Sequence, residues 1–407
     1  MAHTGINHEN VKINNRRAIL TLLNERGAMS RKDLAMELGL TPASVTLICA
    51  ELIANGILCE QGQLKEDKRV GRKKILVGIN YSCRYVLCIT IESEDTCITL
   101  CDLKGTDPHI QRIKTNPQIE PSEFLHQVAQ EGLRLIAQLN LPEESLLGVG
   151  VSIPGLVDHQ RGISQSAYRI WNKPVSISSC LQKYFSCPII VENNVKSFAT
   201  AELIYGCGKQ HKNILFLKWG YGIGSALTIE NKIYESQVSK EAEIGHIPVD
   251  KRGALCRCGR RGCLETKASI HAIVKQIRSH CTANTMPYLY ELVHQDPSQI
   301  HASNIKWWFQ AQEKDEGLWK ILDPIIERVA LVTASIITFL APDIIIVYGQ
   351  VFELPHIKDH FIQHCKRFDA SYDESYIRMS DISEQIDYIG PLAVAVNKLF
   401  ICSGGDL

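Results

Sequence analysis

Between Glu243 and Glu265 the chain reads E-I-G-H-I-P-V-D-K-R-G-A-L-C-R-C-G-R-R-G-C-L-E, placing one imidazole and three thiols in a single short segment. His246, Cys256, Cys258 and Cys263 have the ligand number and softness that a tetrahedral structural zinc ion prefers. Their spacing, H-x9-C-x-C-x4-C, is not that of a zinc finger. Gly253, Gly259 and Gly262 interleave the ligands, as a loop folding back on one ion requires. The competing reading is a turn-rich loop with ordinary reduced cysteines; four clustered ligands weigh against it. Glu243 and Glu265 bracket the set, so closing the loop brings two acceptor-only carboxylates toward His246. Such carboxylates hold sugar hydroxyls through charge-assisted hydrogen bonds, although isolated glutamates are usually solvated surface groups.

The elements around this segment must position it. With 407 residues the chain implies two or three domains, and 45% hydrophobic with 22% charged residues is ordinary soluble globular composition. Lysine plus arginine equals aspartate plus glutamate at 44 each, so any nucleic-acid affinity must come from a local patch. The stretch from Met1 to Arg17 is polar and charged, which excludes a signal peptide or early membrane span there. Of the 15 cysteines, those outside the loop, such as Cys49, Cys88, Cys101 and Cys187, mostly sit in apolar contexts and are expected as small buried hydrophobes. The odd number without framework spacing points to a reducing cytoplasm.

The first eighty residues carry helix punctuation. Ile13, Ala18, Ile19, Leu22 and Leu23 fall at helical spacing ahead of Gly27; Ser30 and Asp33 form a shortened capping box before a helix carrying Leu34, Ala35 and Leu38 inward. Gly39-Leu40 is a turn, Thr41 a cap, and Pro42 the first residue of a third helix reaching Asn55-Gly56. This is a helix-turn-helix pattern. Val45, Ile48, Leu52 and Ile53 are expected to pack, leaving Ala43, Ser44, Thr46 and Leu47 on the groove-facing side, with Thr41 and Arg31 beside them. Strand-like Ile57 to Cys59 and Ile75 to Ile79 then flank a tip with six basic residues against two acidic ones between Leu64 and Lys74. Directly after a helix-turn-helix this reads as a DNA-binding wing, with Lys68, Arg69 and Lys73 on phosphates and Gly71-Arg72 entering the minor groove of double-stranded DNA. A solvated charged loop and a helical interaction domain are the non-binding alternatives.

The E-x-G-H and C-x-C-G-x-x-G-C-x-E elements together resemble the signature of the ROK family of repressors and sugar kinases, and the resemblance covers nearly the whole chain. It implies an α/β architecture: an N-terminal winged helix-turn-helix (1–80) followed by a two-lobed actin-like, ribonuclease H-like body. The lobes are expected at 81–192 completed by 385–407, and at 193–384 with the zinc loop. By the same resemblance, Gly150, Pro154, Gly155 and Asp158 form a turn beside the sugar. Asn172, Asn193, Asn194, Glu243, His246 and Glu265 bind sugar, and W-G-Y-G-I-G-S-A-L at Trp219 to Leu227 is a second glycine turn.

Two departures matter. Where the kinases have a glycine-rich D-x-G-G-T phosphate loop, this chain has Thr90, Ile91, Glu92, Ser93 and Glu94. Two carboxylates without glycine oppose phosphate cradling. Asn194 stands where the kinases have an aspartate base, and an amide is no general base. A helix cap is the structural reading of the Asn193-Asn194 pair, and it is compatible with sugar contact.

Elsewhere the sequence predicts a hairpin of alternating apolar and polar residues over Arg84 to Asp102, and helices over Ser122 to Leu139, from Ile270, within Ser303 to Leu318, over Ile325 to Leu340 and over Gly390 to Phe400. No internal repeat is visible. Within that family the chain resembles the NagC/XylR-type repressors. This resemblance implies a cytoplasmic, sugar- or sugar-phosphate-responsive transcriptional regulator of carbohydrate genes with no catalytic residues, acting as a homodimer or homotetramer on a palindromic operator. Alternatives are a sugar kinase with an appended DNA-binding domain, a regulator switched by a protein partner, and a body that serves only to dimerise.

Overall fold

The computed structural model describes residues 8–63, 75–236 and 242–406. They fall into two compact units, 1–209 with 384–407 and 210–383. The helix Asn194–Ile204 therefore packs with the first unit, whereas the sequence reading put it in the second. Its apolar residues have their partners in the first-unit sheet and the last helix, which fixes its membership more strongly than chain order does.

The first unit opens with three helices, His8–Arg26, Arg31–Leu38 and Pro42–Ala54. Ser30 caps the second by accepting from the Asp33 amide at 3.2 Å, and its own hydroxyl donates to the Asp33 carboxylate at 2.7 Å. That closes the expected box through side chains. Gly39 takes a left-handed conformation (φ 62°) that ends this helix, and Thr41 caps the third by accepting from the Ser44 amide at 3.2 Å. Leu34, Val45, Ile48 and Leu52 are buried, while Leu38 and Ile53 are half-buried. Strands Leu58–Gln63 and Ile75–Ile79 pair antiparallel, with Met29–Ser30 added on the other side, giving a three-stranded wing sheet.

The first unit also contains a five-stranded sheet in the order Ile189–Asn193, Leu146–Ile153, Tyr85–Ile91, Asp95–Asp102, His109–Lys114. The first three strands are parallel and the last two run antiparallel as a meander. The predicted hairpin is present, but its strands do not alternate in burial. Both faces are covered by helices, so Thr90, Thr96 and Thr99 are buried along with the aliphatics. Thr96 meets Thr115 at 2.8 Å, satisfying its hydroxyl internally.

The second unit repeats this topology. Its sheet runs Lys232–Ile233, Ile223–Ile229, Ile214–Trp219, Ile344–Tyr348, Ile377–Met379. A meander of three again precedes two strands added in parallel on the far side of the first. In order of appearance, both sheets read 3-2-1-4-5, a duplication without an apparent sequence repeat. The helix expected over Ile325 to Leu340 spans Glu316–Leu340 and continues through Pro324. Leu318 and Leu322 are buried in the same core as Ile325 and Ile326, and this packing outweighs the amide bond that proline forfeits. The last helix, Ile389–Ala395, runs into a π-helical turn, Val396–Ile401. Among the described residues, no helix is long and apolar enough to cross a membrane.

Candidate functional site

Gly245 is what allows the E-I-G-H segment to lie against the sheet, since a Cβ there would approach the Ile223 carbonyl oxygen to 2.1 Å. Glu243 and His246 are thereby fixed in one short turn at the edge of the Ile223–Ile229 strand. His246 is buried and Glu243 Oε2 lies 3.5 Å from its Nε2. The other ring nitrogen, Nδ1, faces Cys256 Sγ at 3.5 Å.

The loop that follows closes on itself. Bridges pair Pro248 with Cys263 and Leu255 with Arg261. Gly262, at φ 67°, sits where a Cβ would come within 1.6 Å of the Asp250 carbonyl oxygen, and Gly259 supplies a second left-handed turn at φ 85°. Cys258 and Cys263 Sγ atoms are 3.6 Å apart, and all four ligand atoms of His246, Cys256, Cys258 and Cys263 lie within 4.8 Å of one another. A tetrahedral ion with metal–sulfur bonds near 2.3 Å has ligand–ligand edges of roughly 3.5–3.8 Å. The cluster thus fits one such ion, and the four residues can hold a metal. Burial pulls the His246 pKa down, outweighing the Glu265 charge, which favours the neutral imidazole that ligation needs. Burial acts to raise the Cys258 thiol, but hydrogen bonds with Arg260, Cys256 and Cys263 together outweigh it and leave Cys258 at about 7.

Glu265 starts the short helix Glu265–Ala268, whose last carbonyl accepts from the Trp219 indole at 2.6 Å. One Glu265 oxygen accepts from the Ile223 amide at 3.2 Å and the other from Arg257 Nη2 at 2.8 Å. Arg257 was not singled out from the sequence. Its place between two metal-ligand cysteines, eight residues from a glutamate, was the available signal.

In the first unit, Asn193 caps the helix Asn194–Ile204. Its side-chain oxygen accepts from the Val195 and Lys196 amides at 2.9 and 3.2 Å, and its Nδ2 donates to the Gly155 carbonyl at 2.8 Å. Gly155 is required at φ 101°, with the Ser166 carbonyl 2.2 Å from any added Cβ. Asn194 Nδ2 donates to Glu92 Oε1 at 2.8 Å. Asn172 is exposed in the turn after Trp171.

On the helix-turn-helix, Thr41, Ala43, Thr46 and Leu47 are exposed and Ser44 is half-buried. The hydroxyl of Thr46 donates to the Pro42 carbonyl at 2.7 Å and is satisfied within its own helix. Arg31 is tied to Glu60 on the wing at 3.0 Å. Lys68, Arg69, Gly71, Arg72 and Lys73 lie outside the described residues.

The fold and these sites together define a class: a winged helix-turn-helix joined to a two-lobed, actin-like body of sugar-kinase type. The ROK family model matches residues 86–392, and the chain belongs to the ROK family. A MarR family model matches residues 14–70, over the winged helix. The xylose repressor of Bacillus spizizenii is 26% identical over 287 residues, 70% of this chain and 73% of that protein. The DNA-binding transcriptional dual regulator NagC of Escherichia coli is 25% identical, covering 87% and 85%. Among solved structures, a ROK family transcriptional regulator described as a homolog of the E. coli MLC protein superposes with a TM-score of 0.76 at 22% identity, covering 97% of both chains.

Proposed function

We propose that the protein is a sugar-responsive transcriptional repressor of carbohydrate genes that binds its effector without phosphorylating it. The observation that carries this reading is the pairing of Asn194 with Glu92, which occupies the positions of the kinase base and phosphate loop with groups that serve neither purpose. By the family resemblance we assign effector contacts to Glu243, His246 and Glu265 in the second unit and to Asn172, Asn193 and Asn194 in the first. Zinc is the ion we assign to the Cys/His cluster. It supplies rigidity to Glu243 and His246 and no chemistry of its own. A bound sugar or sugar phosphate shifts the DNA-binding state only through its differential affinity for the two states. The recognition helix and wing engage double-stranded DNA, and a homodimer or homotetramer matches a palindromic operator.

The test is selection of genomic DNA fragments retained by the purified protein at physiological salt, followed by sequencing. A shared palindrome beside carbohydrate genes is expected, and those genes name the sugars to titrate against the complex. Sequence-blind, salt-sensitive retention alone overturns the reading.

A further inference from the structure

We infer that the helix Asn194–Ile204 is a rigid strut that carries the state of the effector contacts to the DNA-binding module, with Asn24 and Tyr81 as positioning residues at its receiving end. The inference rests on the proposed function, because it takes Asn193 and Asn194 as effector contacts.

Both ends of this helix are tied by side chains. At its start, Asn193 is held to Gly155 and Asn194 to Glu92, each at 2.8 Å. A hydroxyl competing for either amide alters the first turn directly. At its end, the Ile204 carbonyl is one of the last-turn groups that have no partner within the helix. It accepts from Asn24 Nδ2 at 2.9 Å, and Asn24 belongs to the first helix of the DNA-binding module, 180 residues earlier in the chain. Asn24 is held in turn by Tyr81, whose hydroxyl donates to its Oδ1 at 3.2 Å from the turn just after the second wing strand. One amide thus joins the far end of the effector helix, the first helix and the root of the wing.

Between its ends the helix has little freedom. It is buried around nearly its whole circumference, and Gly390 of the last helix comes so close that a Cβ there would lie 2.8 Å from Ser197 Oγ. Close-packed elements move as bodies rather than deforming. Eleven residues span roughly 16 Å at 1.5 Å per residue, so a tilt at Asn193 is delivered to Asn24. A second link runs alongside: beyond the last helix, Gly404 and Gly405 (φ 71° each) lie against Arg16 and Leu20 of the first helix and Ile57 before the wing. The DNA-binding module is therefore tied to the body by both of these links, and the Asn24 contact connects it to the effector helix.

The test is a double-mutant cycle on the full-length chain, reading affinity for the operator recovered by genomic selection. Asn193→Asp keeps the capping acceptor but removes the donor to Gly155. Asn24→Asp keeps the acceptor for Tyr81 but removes the donor to Ile204. We expect Asn193→Asp to change the operator Kd by about 5-fold or more, and that change to fall below about 2-fold in the Asn24→Asp background. Hydrogen exchange over His8–Arg26 should respond to Asn193→Asp only when Asn24 is present. If Asn193→Asp fails to fold, Asn193→Ser takes its place. A Kd unmoved by the Asn193 variant, or moved equally in both backgrounds, overturns the strut alone. Absence of any sequence-specific binding by the parent protein overturns the regulator reading and the strut with it.

Discussion

Asn194 donates to Glu92 at 2.8 Å across 102 residues of sequence, so the two positions at which this chain departs from the kinase pattern are partners of each other. An amide donor beside a carboxylate is a satisfied pair. An aspartate at 194 would set two acceptor-only groups face to face, and one of them would have to hold a proton. The two departures are therefore mutually compatible, and reverting one alone creates a conflict.

Asn194→Asp is accordingly expected to yield no ATP-dependent phosphorylation of xylose, glucose or N-acetylglucosamine, and to destabilise the first unit by about 1–3 kcal/mol at neutral pH. A coupled ADP-release assay and urea unfolding read the two effects. Turnover well above the parent level would refute the account of the Thr90 to Glu94 turn.

Removing one ligand from the Cys/His cluster tests the metal assignment. Cys258→Ser should weaken zinc affinity by at least about 100-fold, beyond the 10–100-fold typical of a supporting residue. It should also lower the unfolding temperature of the second unit. Atomic absorption on the purified protein gives the metal content, and a variant retaining the parent's zinc would exclude Cys258 as a ligand.

The local punctuation of this fold was legible in the sequence. Ser30, Thr41 and Pro42 mark helix starts because capping depends on neighbours three residues away, and the ligand cluster announces itself by composition. The duplicated 3-2-1-4-5 sheets were not legible, because strand order is set by contacts far apart in sequence and two such sheets need share no residues. The same reason hid the pairing of Asn194 with Glu92, although both had been singled out individually. The helix expected from Ile325 begins at Glu316, because packing by Leu318 and Leu322 carries it through Pro324, where a local rule stops a helix. Of the cysteines expected to be buried, Cys49, Cys88 and Cys101 are, whereas Cys187 is only half-buried.

Gly245 fixes the metal turn to the sheet through a backbone contact that admits no side chain. Gly245→Ala should cost about 1–3 kcal/mol of stability, the range for overpacking a tight site, and reduce zinc retention together with it. Gly259→Ala offers the contrast: nothing lies within 4 Å of its added Cβ, so only the strain of its positive φ remains. Loss of zinc in the second variant but not the first would overturn this ranking.

Asp323 gives the second unit an acid-sensitive contact. Its Oδ1 lies 2.9 Å from His364 Nε2 and 3.2 Å from His360 Nδ1. Burial acts to raise its carboxyl, but these two partners outweigh that and hold it below the usual value. A carboxyl depressed in the folded state contributes stability above its unfolded pKa, and that contribution is lost as pH falls through the folded value. Urea midpoints should therefore drop more steeply below about pH 4 in the parent than in Asp323→Asn. Parallel acid profiles would remove this pair from the account.

Leu47 is 72% exposed on the helix Pro42–Ala54, near Ala43 and Thr46, which are exposed as well. An exposed leucine contributes little to folding, so Leu47→Ala should leave stability within about 0.5 kcal/mol. Short apolar side chains on a groove-facing helix read thymine methyls rather than hydrogen-bonding edges. The substitution should then weaken operator binding by about 5–10-fold, within the range of a single lost base contact, with the slope of affinity against salt unchanged, because no phosphate contact is removed. An altered salt slope would place Leu47 beside the backbone instead, and an unchanged operator affinity would take this helix face off the DNA.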